Sequence, residues 1–358
     1  MKKRIIGIDV ARALAVIGMI IVNFKVVLGE KGESWLKPFA NFFFGKAAAL
    51  FVVLAGIGLA LMTNTAVRTQ NQEKLQNGRK RIWKRAIFLF VVGLSYSWIW
   101  PADILHFYGV YMLLTLVFIN RAPQQSLVAA VGLILLFPLL ASIFDYEKGW
   151  IFEIWTYTDF WTFNGFFRNL FFNGFHPVIP WAAFMLFGLW FGKQNLYDEA
   201  FLKKSLGIGL SVFLLVQVLS GVLTSFTPEG DSSTAEFLGY LFSTSPMPPL
   251  PLYMLNGISI SVTIVSACIL LANRFEDNFL IQAFNRTGQL ALTFYVAHVV
   301  IGMGLMADED PSQFGNYSIN FSVIYALVFS LICILFAQVW LRFKKSGPLE
   351  WVMRKLTD

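Results

Sequence analysis

Long apolar segments separated by shorter polar ones run through the whole chain. The first extends from Arg4 to Asn23, and windows of similar character recur as far as Leu341. About 18 or more consecutive apolar residues are typical of a transmembrane helix, whereas membrane β-barrels are encoded by shorter alternating segments. The pattern therefore predicts an all-α fold, a polytopic membrane helix bundle of about ten transmembrane helices.

Polar residues, glycines and prolines bound these predicted spans. No polar region between them is long enough for a separate aqueous domain, so a single transmembrane domain is expected over residues 1–358. The spans cover approximately residues 4–23, 39–62, 86–100, 104–119, 126–144, 176–192, 206–226, 252–272, 288–306 and 321–341.

Basic side chains are concentrated in alternate connections. Residues 64–85 carry seven Lys and Arg against one acid, and the chain begins with Lys2, Lys3 and Arg4. Because cytoplasmic loops carry an excess of Lys and Arg, residues 64–85 are expected to form a basic cytoplasmic loop and both termini to be cytoplasmic. This distribution also explains the net charge of +7, so we expect no nucleic acid as a partner.

Residues 145–175 differ from the rest of the chain. They are crowded with aromatic side chains but interrupted by polar ones such as Glu153, Asp159 and Arg168. Aromatic residues are enriched where a membrane meets water. We therefore expect an aromatic outer interfacial segment here.

Composition agrees with a membrane protein. Of 358 residues, 57% are hydrophobic and only 14% are charged, with a mean hydropathy of +0.63, whereas soluble domains are about a quarter charged. Cys268 and Cys333 both lie in apolar segments, so they are expected to be reduced packing residues.

Asp9 and Arg12 place charge inside the first apolar segment. They are three residues apart, so they share one face of a helix and can pair. Charges at membrane depth are costly and usually face a protein interior or a polar cavity. The pair is expected either to belong to a functional site or to be an ion pair that fixes the depth of the helix.

The chain has three histidines, and each has a structural and a catalytic interpretation. His106 lies three residues after Asp103, whose carboxylate could fix its tautomer. His176 precedes a Pro-Trp segment, and His298 lies about ten residues into a predicted span. No two histidines have the i, i+3 or i, i+4 spacing of a helical metal site, so no metal is expected.

Arginines near the predicted cytoplasmic side also have two interpretations. They can set topology and attract anionic lipid, or they can receive the phosphates of a cytoplasmic cofactor. The candidates for the second role are Arg81, Arg85 and Arg286.

Three segments resemble one family of membrane enzymes. Residues Arg4 to Asn23, with Asp9, Arg12 and an apolar run that ends in Val-Asn, resemble the opening of the transmembrane acyltransferases. The nearest branch contains heparan-α-glucosaminide N-acetyltransferase and the bacterial YeiB-like membrane proteins. Ile179-Pro180-Trp181 is similar to the Pro-Trp helix of that branch, and the stretch from Gly288 to Tyr295 to its Gly-x-x-Ala-Leu-Thr-x-Tyr helix.

The resemblance implies an acyltransferase of the bacterial cytoplasmic (inner) membrane. Such an enzyme takes an acyl group from acetyl-CoA or another acyl-CoA at the cytoplasmic face and passes it to a glycan or related acceptor in the envelope. In the eukaryotic enzyme a histidine in the loop after the first helix is assigned the chemistry. Here that loop, Lys31 to Trp35, contains no histidine, and the motif glycine is replaced by Ala13.

Roles combine the local interpretations above, which supply the histidines, Asp103 and the later arginines, with the resemblance, whose matching segments contain Asp9, Arg12, Asn23, Trp181 and Tyr295. The catalytic candidates are His298, His106 with Asp103 as its orienting group, and His176. Asp9 and Arg12, together with Arg81, Arg85 and Arg286, are expected at the cofactor end, and Asn23, Trp181 and Tyr295 at the acceptor.

The expected binding partners are compatible with more than one function. The partners are membrane lipid and the acyl acceptor, with a homodimer as an open alternative. A transporter or flippase for a small or lipidic solute would also explain buried charges in a helix bundle. A non-catalytic envelope protein would explain the missing loop histidine.

Overall fold

The computed structural model describes residues 4–152, 155–226, 233–309 and 314–358. The predicted basic residues Lys2 and Lys3 lie outside the described residues, as does Glu153 of the aromatic segment. The described chain is mostly helical, as the apolar pattern predicts.

Helices account for the first part of the chain. They are α1 (Ile6–Leu28), α2 (Leu36–Phe43), α3 (Lys46–Arg68), α4 (Gln72–Tyr96), α5 (Leu105–Leu116) and α6 (Pro123–Ile143). A short antiparallel pair follows, β1 (Trp150–Ile151) and β2 (Thr156–Tyr157).

The second part is also helical but contains two π-helices. Its elements are α7 (Phe163–Arg168), π1 (Asn169–Asn173), α8 (Val178–Gly192), α9 (Glu199–Ser225), α10 (Ser233–Phe242), α11 (Pro251–Arg274), α12 (Phe279–Gly288), α13 (Ala291–Ala297), π2 (His298–Met303), α14 (Gly304–Glu309), α15 (Ile319–Phe343) and α16 (Pro348–Thr357).

Among the described residues, six helices are long and apolar enough to cross a membrane, or up to eight if each of two bent helix pairs is one span. The two remaining predicted spans correspond to α4 and α5. The first half of α4 is basic, and α5 has only 12 residues. The polytopic helical bundle is therefore confirmed, while the count of ten and the cytoplasmic termini stay predictions.

The basic segment 64–85 is not a loop. Helix α3 continues to Arg68 and α4 begins at Gln72, where Asn71 accepts a hydrogen bond from the Lys74 backbone N–H at 2.9 Å. Side-chain acceptors at this position are a common helix start. Hydropathy detects only the apolar length of a helix, whereas Lys, Arg, Gln and Glu are good helix formers beyond it.

The span predicted over residues 288–306 is helical from Ala291 to Ala307, and a sharp bend that the sequence did not predict precedes it. Helix α12 ends at Gly288, and the chain bends by 70° before the helical stretch that begins at Ala291. Within that stretch the backbone widens into π2 from His298. Such π segments frequently occur at functional sites.

Residues group into two compact units. Unit one comprises Met1–Phe51, Asp198–Leu206 and Ser261–Leu356, and unit two comprises Val52–Tyr197, Gly207–Ile260 and Thr357–Asp358. In unit one, α1 packs against α12 and α15, and in unit two α4 packs against α5 and α6 against α8.

Candidate functional site

The second half of α1 meets the start of π2 through a polar contact. The Asn23 Nδ2 and His298 Nε2 atoms lie 2.8 Å apart. Because an amide nitrogen can only donate, Asn23 donates to Nε2, which then carries a lone pair while the proton resides on Nδ1. The His298 side chain is fully buried. The pair thus places a neutral imidazole and an amide together inside unit one.

Aromatic rings surround His298. The ring of Tyr295 stands edge-on to the imidazole at 5.2 Å, and that of Phe24 is tilted at 6.1 Å. Tyr295 in turn stacks on Phe51 at 6.1 Å. These contacts restrict the orientation of the imidazole, since a ring packed on two sides has few rotamers available.

The start of α1 carries a three-residue charge cluster. Arg12 Nη1 lies 2.5 Å from Asp9 Oδ1, which confirms the predicted pair, and Arg4 Nε lies 2.6 Å from Asp9 Oδ2. The Asp9 side chain is 4% exposed, against 28% for Arg12 and 57% for Arg4. One buried carboxylate therefore orients two arginines that keep further N–H donors toward the outside.

Close packing fixes this end of α1. A β-carbon at Gly288 would overlap the backbone oxygen of Asp9, so α12 approaches α1 to backbone contact. Only glycine permits this separation. The predicted donor-end residue Arg286 lies two positions earlier, in the last turn of α12.

Both polar groups of α1 lie on nearly one face. Asp9 and Asn23 are fourteen residues apart, about 3.9 turns, so their side chains differ by only about 40° around the helix axis and by about 21 Å along it. Helix α1 therefore carries the arginine cluster at one end of a face and the Asn23–His298 contact at the other.

A second histidine centre lies in unit two. His106 Nδ1 lies 3.1 Å from Asp103 Oδ2, as the spacing predicts, and the same oxygen accepts the His106 backbone N–H at 3.1 Å. The Tyr96 hydroxyl donates to Asp103 Oδ1 at 2.5 Å. Both the His106 and the Asp103 side chains are buried. The carboxylate fixes the tautomer of His106, whose Nε2 has no hydrogen-bond partner among the residues that the structure describes.

His176 and Trp181 lie next to this centre. The His176 ring stands edge-on to Trp181 at 4.6 Å and to Phe107 at 6.1 Å, and Phe107 contacts the ring of His106 at 4.0 Å. The Tyr111 hydroxyl donates to the His176 backbone oxygen. Within the described part of the chain, His176 Nδ1 and Trp181 Nε1 are buried without a partner. The surroundings of His106 therefore combine aromatic rings with buried polar atoms.

Two of the predicted donor-end arginines have a protein partner. Arg85 Nη2 lies 2.8 Å and Arg81 Nε 3.1 Å from Asp358 Oδ1. Partial burial acts to raise the pKa of Asp358, but the hydrogen bond and charge of Arg85 and the charge of Arg81 outweigh it and hold that pKa below its usual range. The arginines are therefore engaged by a carboxylate of unit two.

Counting only described residues, no group of three or more His, Cys, Asp or Glu could hold a metal ion.

The predicted site residues fall into two sets, one in each compact unit. Unit one contains Asp9, Arg12, Asn23, Arg286, Tyr295 and His298, and unit two contains Arg81, Arg85, Asp103, His106, His176 and Trp181.

Sequence reasoning missed Arg4 and Tyr96 as members of these clusters. Arg4 precedes Asp9 by five residues, and Tyr96 precedes Asp103 by seven across a turn. Neither separation is a helical i, i+3 or i, i+4 spacing. Both residues lie inside predicted spans, Arg4 at the start of 4–23 and Tyr96 near the end of 86–100, so a polar side chain close to a span end was the available signal.

Two family profiles match the chain, each over one part. Residues 4–220 match the family described as heparan-alpha-glucosaminide N-acetyltransferase, catalytic, and residues 190–358 match the one described as protein of unknown function (DUF418). Asn23 lies in the first region and His298 in the second.

Two curated bacterial proteins are similar over almost their whole length. The Bacillus subtilis (strain 168) protein YxaH, described as uncharacterized, is 22% identical over 99% of this chain and 94% of its own. An uncharacterized 39.9 kDa protein from the amylase 3' region of Bacillus acidopullulyticus is 23% identical over the same shares.

Proposed function

We propose that this chain, which belongs to the heparan-alpha-glucosaminide N-acetyltransferase catalytic family, moves an acetyl or other acyl group from acyl-CoA to a hydroxyl or amine acceptor. The family match covers more than half of the chain and supports a membrane acetyltransferase type of activity. The donor, the acceptor and the residues that act on them are the proposal.

The Asn23–His298 contact carries the proposal. It joins Asn23, in the region that matches the acetyltransferase family, to His298, which lies 275 positions later in the region that matches DUF418. A neutral imidazole with its lone pair held by an exchangeable amide is suited to act as a general base. An acceptor N–H or O–H can take the place of the Asn23 amide at Nε2.

The chemistry then follows from the two side chains. Nε2 of His298 takes the proton of the acceptor while the acceptor nitrogen or oxygen bonds to the thioester carbonyl carbon. The Asn23 amide, released from Nε2, donates to the carbonyl oxygen as it becomes negative. The carbon–sulfur bond breaks, and the proton passes from His298 to the sulfur, so that CoA leaves as the thiol.

The arginine cluster supports the donor assignment. Arg12 lies in the cluster that begins α1, on nearly the same face as Asn23, and Arg4 joins the cluster from just before the helix. Arginine binds phosphate oxygens through paired N–H donors. Acyl-CoA places phosphates at one end and a thioester at the other, separated by the pantetheine arm, which matches the separation of the two polar ends of α1. Arg286, in the same unit, is assigned to this end, whereas Arg81 and Arg85 belong to unit two and pair with Asp358.

The acceptor and location remain part of the proposal. We assign a glycan or related envelope acceptor to the side of Asn23 and Tyr295 in unit one, keep Trp181 as an acceptor candidate of unit two, and place the protein in the bacterial cytoplasmic membrane among its lipids. The family name supports a glycan, and aromatic side chains such as Tyr295 offer faces on which sugar rings pack.

A second candidate base is His106. Its Nδ1 is held by Asp103, and its buried Nε2 has no partner within the described residues. A carboxylate behind an imidazole is the arrangement that orients a general base, and His176 lies beside it. The two histidine centres are alternatives for the proton transfer and are separable by mutation.

Purified full-length protein tests the function directly. We expect acetyl-CoA to raise its thermal unfolding temperature in detergent and to be consumed with release of CoA thiol when glucosamine is supplied. Arg12→Gln should raise KM for acetyl-CoA about tenfold by removing a charge-assisted contact. Arg342→Gln, at the end of α15, removes an equal charge elsewhere and should leave KM unchanged. No stabilisation and no turnover with any acyl-CoA would exclude the function.

A transporter is the second candidate function, and the bent helices favour it. The pairs Phe163–Asn173 with Val178–Gly192 and Phe279–Gly288 with Ala291–Ala307 bend by 47° and 70°. Broken helices frequently line solute sites in transporters. Solute flux into proteoliposomes that contain no acyl-CoA would support this function, whereas strict dependence on acyl-CoA would support acyl transfer.

A further inference from the structure

A carboxylate from α16 binds the beginning of α13. Glu350 Oε1 accepts the backbone N–H of Leu292 at 2.8 Å and that of Thr293 at 3.1 Å, and Oε2 accepts the Thr293 hydroxyl at 2.5 Å. The Thr293 hydroxyl also accepts the Leu349 backbone N–H at 3.1 Å. Glu350 is 7% exposed. The start of α13 is therefore capped from a distant part of unit one.

The Glu350–Thr293 contact is closely packed. A β-carbon at Gly347 would overlap Glu350 Oε2 and would lie 2.8 Å from the Thr293 hydroxyl oxygen. The residue just before α16 must therefore be glycine for the carboxylate to reach α13. Helix N-termini leave backbone N–H groups unsatisfied and favour negative charge, so Glu350 supplies both the acceptors and the charge.

The position of the cap connects it to His298. Helix α13 starts immediately after the 70° bend and ends at Ala297, directly before His298. Seven helical residues span only about 10 Å. The helical stretch continues past His298 through π2 and α14, so the cap holds its first turn, about two turns before the imidazole.

We propose that Glu350 is a positioning residue for the reaction at His298. By holding the first turn of α13, it keeps the imidazole in register with Asn23, and it contacts neither donor nor acceptor. This inference rests on the proposed acyl transfer only for its effect on rate. The effect on the order of α13 is independent of that function.

A graded set of variants tests the position of α13 without activity. Hydrogen exchange of residues 291–298 and the rate of His298 modification by diethylpyrocarbonate, both read by mass spectrometry, should rise about tenfold or more in Glu350→Ala, because charged hydrogen bonds are lost. Glu350→Gln keeps an oxygen for both N–H groups and should stay near the original rates. Thr293→Val, which loses the hydroxyl bonds, should lie between them.

The control is an exposed acid in the same unit. Glu199 lies in the first turn of α9 and pairs with Lys203 at 2.6 Å, with 68% of its side chain exposed. Glu199→Ala should change neither rate at residues 291–298. Unchanged exchange and modification in Glu350→Ala would overturn the positioning role whatever the activity of the protein.

Kinetics with acetyl-CoA and glucosamine test the link to catalysis. Glu350→Ala should lower kcat about 10- to 100-fold through misplacement of His298, with KM for acetyl-CoA within about twofold, and Glu350→Gln should restore most of kcat. Faster exchange at unchanged kcat would overturn the link and leave Glu350 a purely structural cap. Absence of turnover in the unmodified protein would count against the proposed function, while the exchange results would still decide the role of Glu350.

Discussion

The two histidine centres hold their rings in opposite ways. In unit two, the Asp103 carboxylate binds Nδ1 of His106 and leaves Nε2 without a partner among described residues. In unit one, the neutral amide of Asn23 occupies Nε2 of His298. A buried carboxylate that also receives the Tyr96 hydroxyl and a backbone N–H is costly to disturb. A neutral amide contact is weaker and can be exchanged for a substrate.

The His106 ring is therefore held in one orientation, whereas the partner of His298 Nε2 can be replaced by a substrate. The Asp103–His106 pair is an imidazole oriented by a buried carboxylate, whose removal would leave several buried polar groups without a partner. Asn23 of the other pair lies on the helix that also carries Asp9 and Arg12, and Arg4 pairs with Asp9 from just before that helix. We assign the proton transfer to the exchangeable pair because it shares a helix face with the proposed donor site.

The largest expected effect is on turnover. His298→Gln should lower kcat with acetyl-CoA and glucosamine about 10²- to 10⁴-fold, since a general base typically contributes that much. His106→Gln should lower it less than about tenfold. CoA thiol release by folded protein, verified by size-exclusion chromatography, measures both. The reverse order would transfer the role of base to His106 and reverse the comparison.

The next effect concerns folding of unit two. Asp103→Ala should lower the free energy of unfolding by about 3–5 kcal/mol, because it leaves the Tyr96 hydroxyl and two nitrogens of His106 unsatisfied in a buried site. Thermal unfolding in detergent measures it, with Asp159→Ala as a control for a partly exposed carboxylate paired with Arg168 at 2.6 Å. Equal losses in both variants would remove the distinction that we draw for Asp103.

Local rules predicted the short-range part of both centres. The apolar pattern identified the helical membrane bundle, and the i, i+3 spacing identified Asp9 with Arg12 and Asp103 with His106. These contacts follow from the geometry of one helix or one turn, which the sequence encodes directly.

Long-range contacts were not predictable in this way. Asn23 meets His298 across 275 positions, and Glu350 meets Thr293 across 57. Both involve a residue of the helical stretch after the bend that follows Gly288, and hydropathy is the same for a straight and a bent apolar helix. The basic segment 64–85 failed for a related reason, since polar side chains mark the end of an apolar span but not the end of a helix.

A smaller effect probes the network behind His106. Tyr96→Phe deletes the hydroxyl that donates to Asp103 at 2.5 Å and leaves the ring in place. The free energy of unfolding should fall by about 1.5–3 kcal/mol, the range for hydrogen bonds to charged groups. Thermal unfolding beside Tyr325→Phe, whose hydroxyl donates to a backbone oxygen at 2.8 Å, compares a charged with a neutral acceptor. A smaller loss in Tyr96→Phe would mean that Asp103 does not depend on this bond.

The smallest expected effect on stability is at Asn23. Asn23→Ala removes a neutral hydrogen bond to His298, so unfolding should shift by only about 0.5–1.5 kcal/mol. Because the same amide is proposed to stabilise the developing negative oxygen, kcat should fall by about 10²- to 10³-fold. In Asn23→Ala, kcat should therefore fall strongly while the free energy of unfolding changes little. A large loss of stability with little loss of kcat would instead make the Asn23–His298 contact a fixed structural bond, like that of Asp103, and would leave His106 as the stronger candidate for the base.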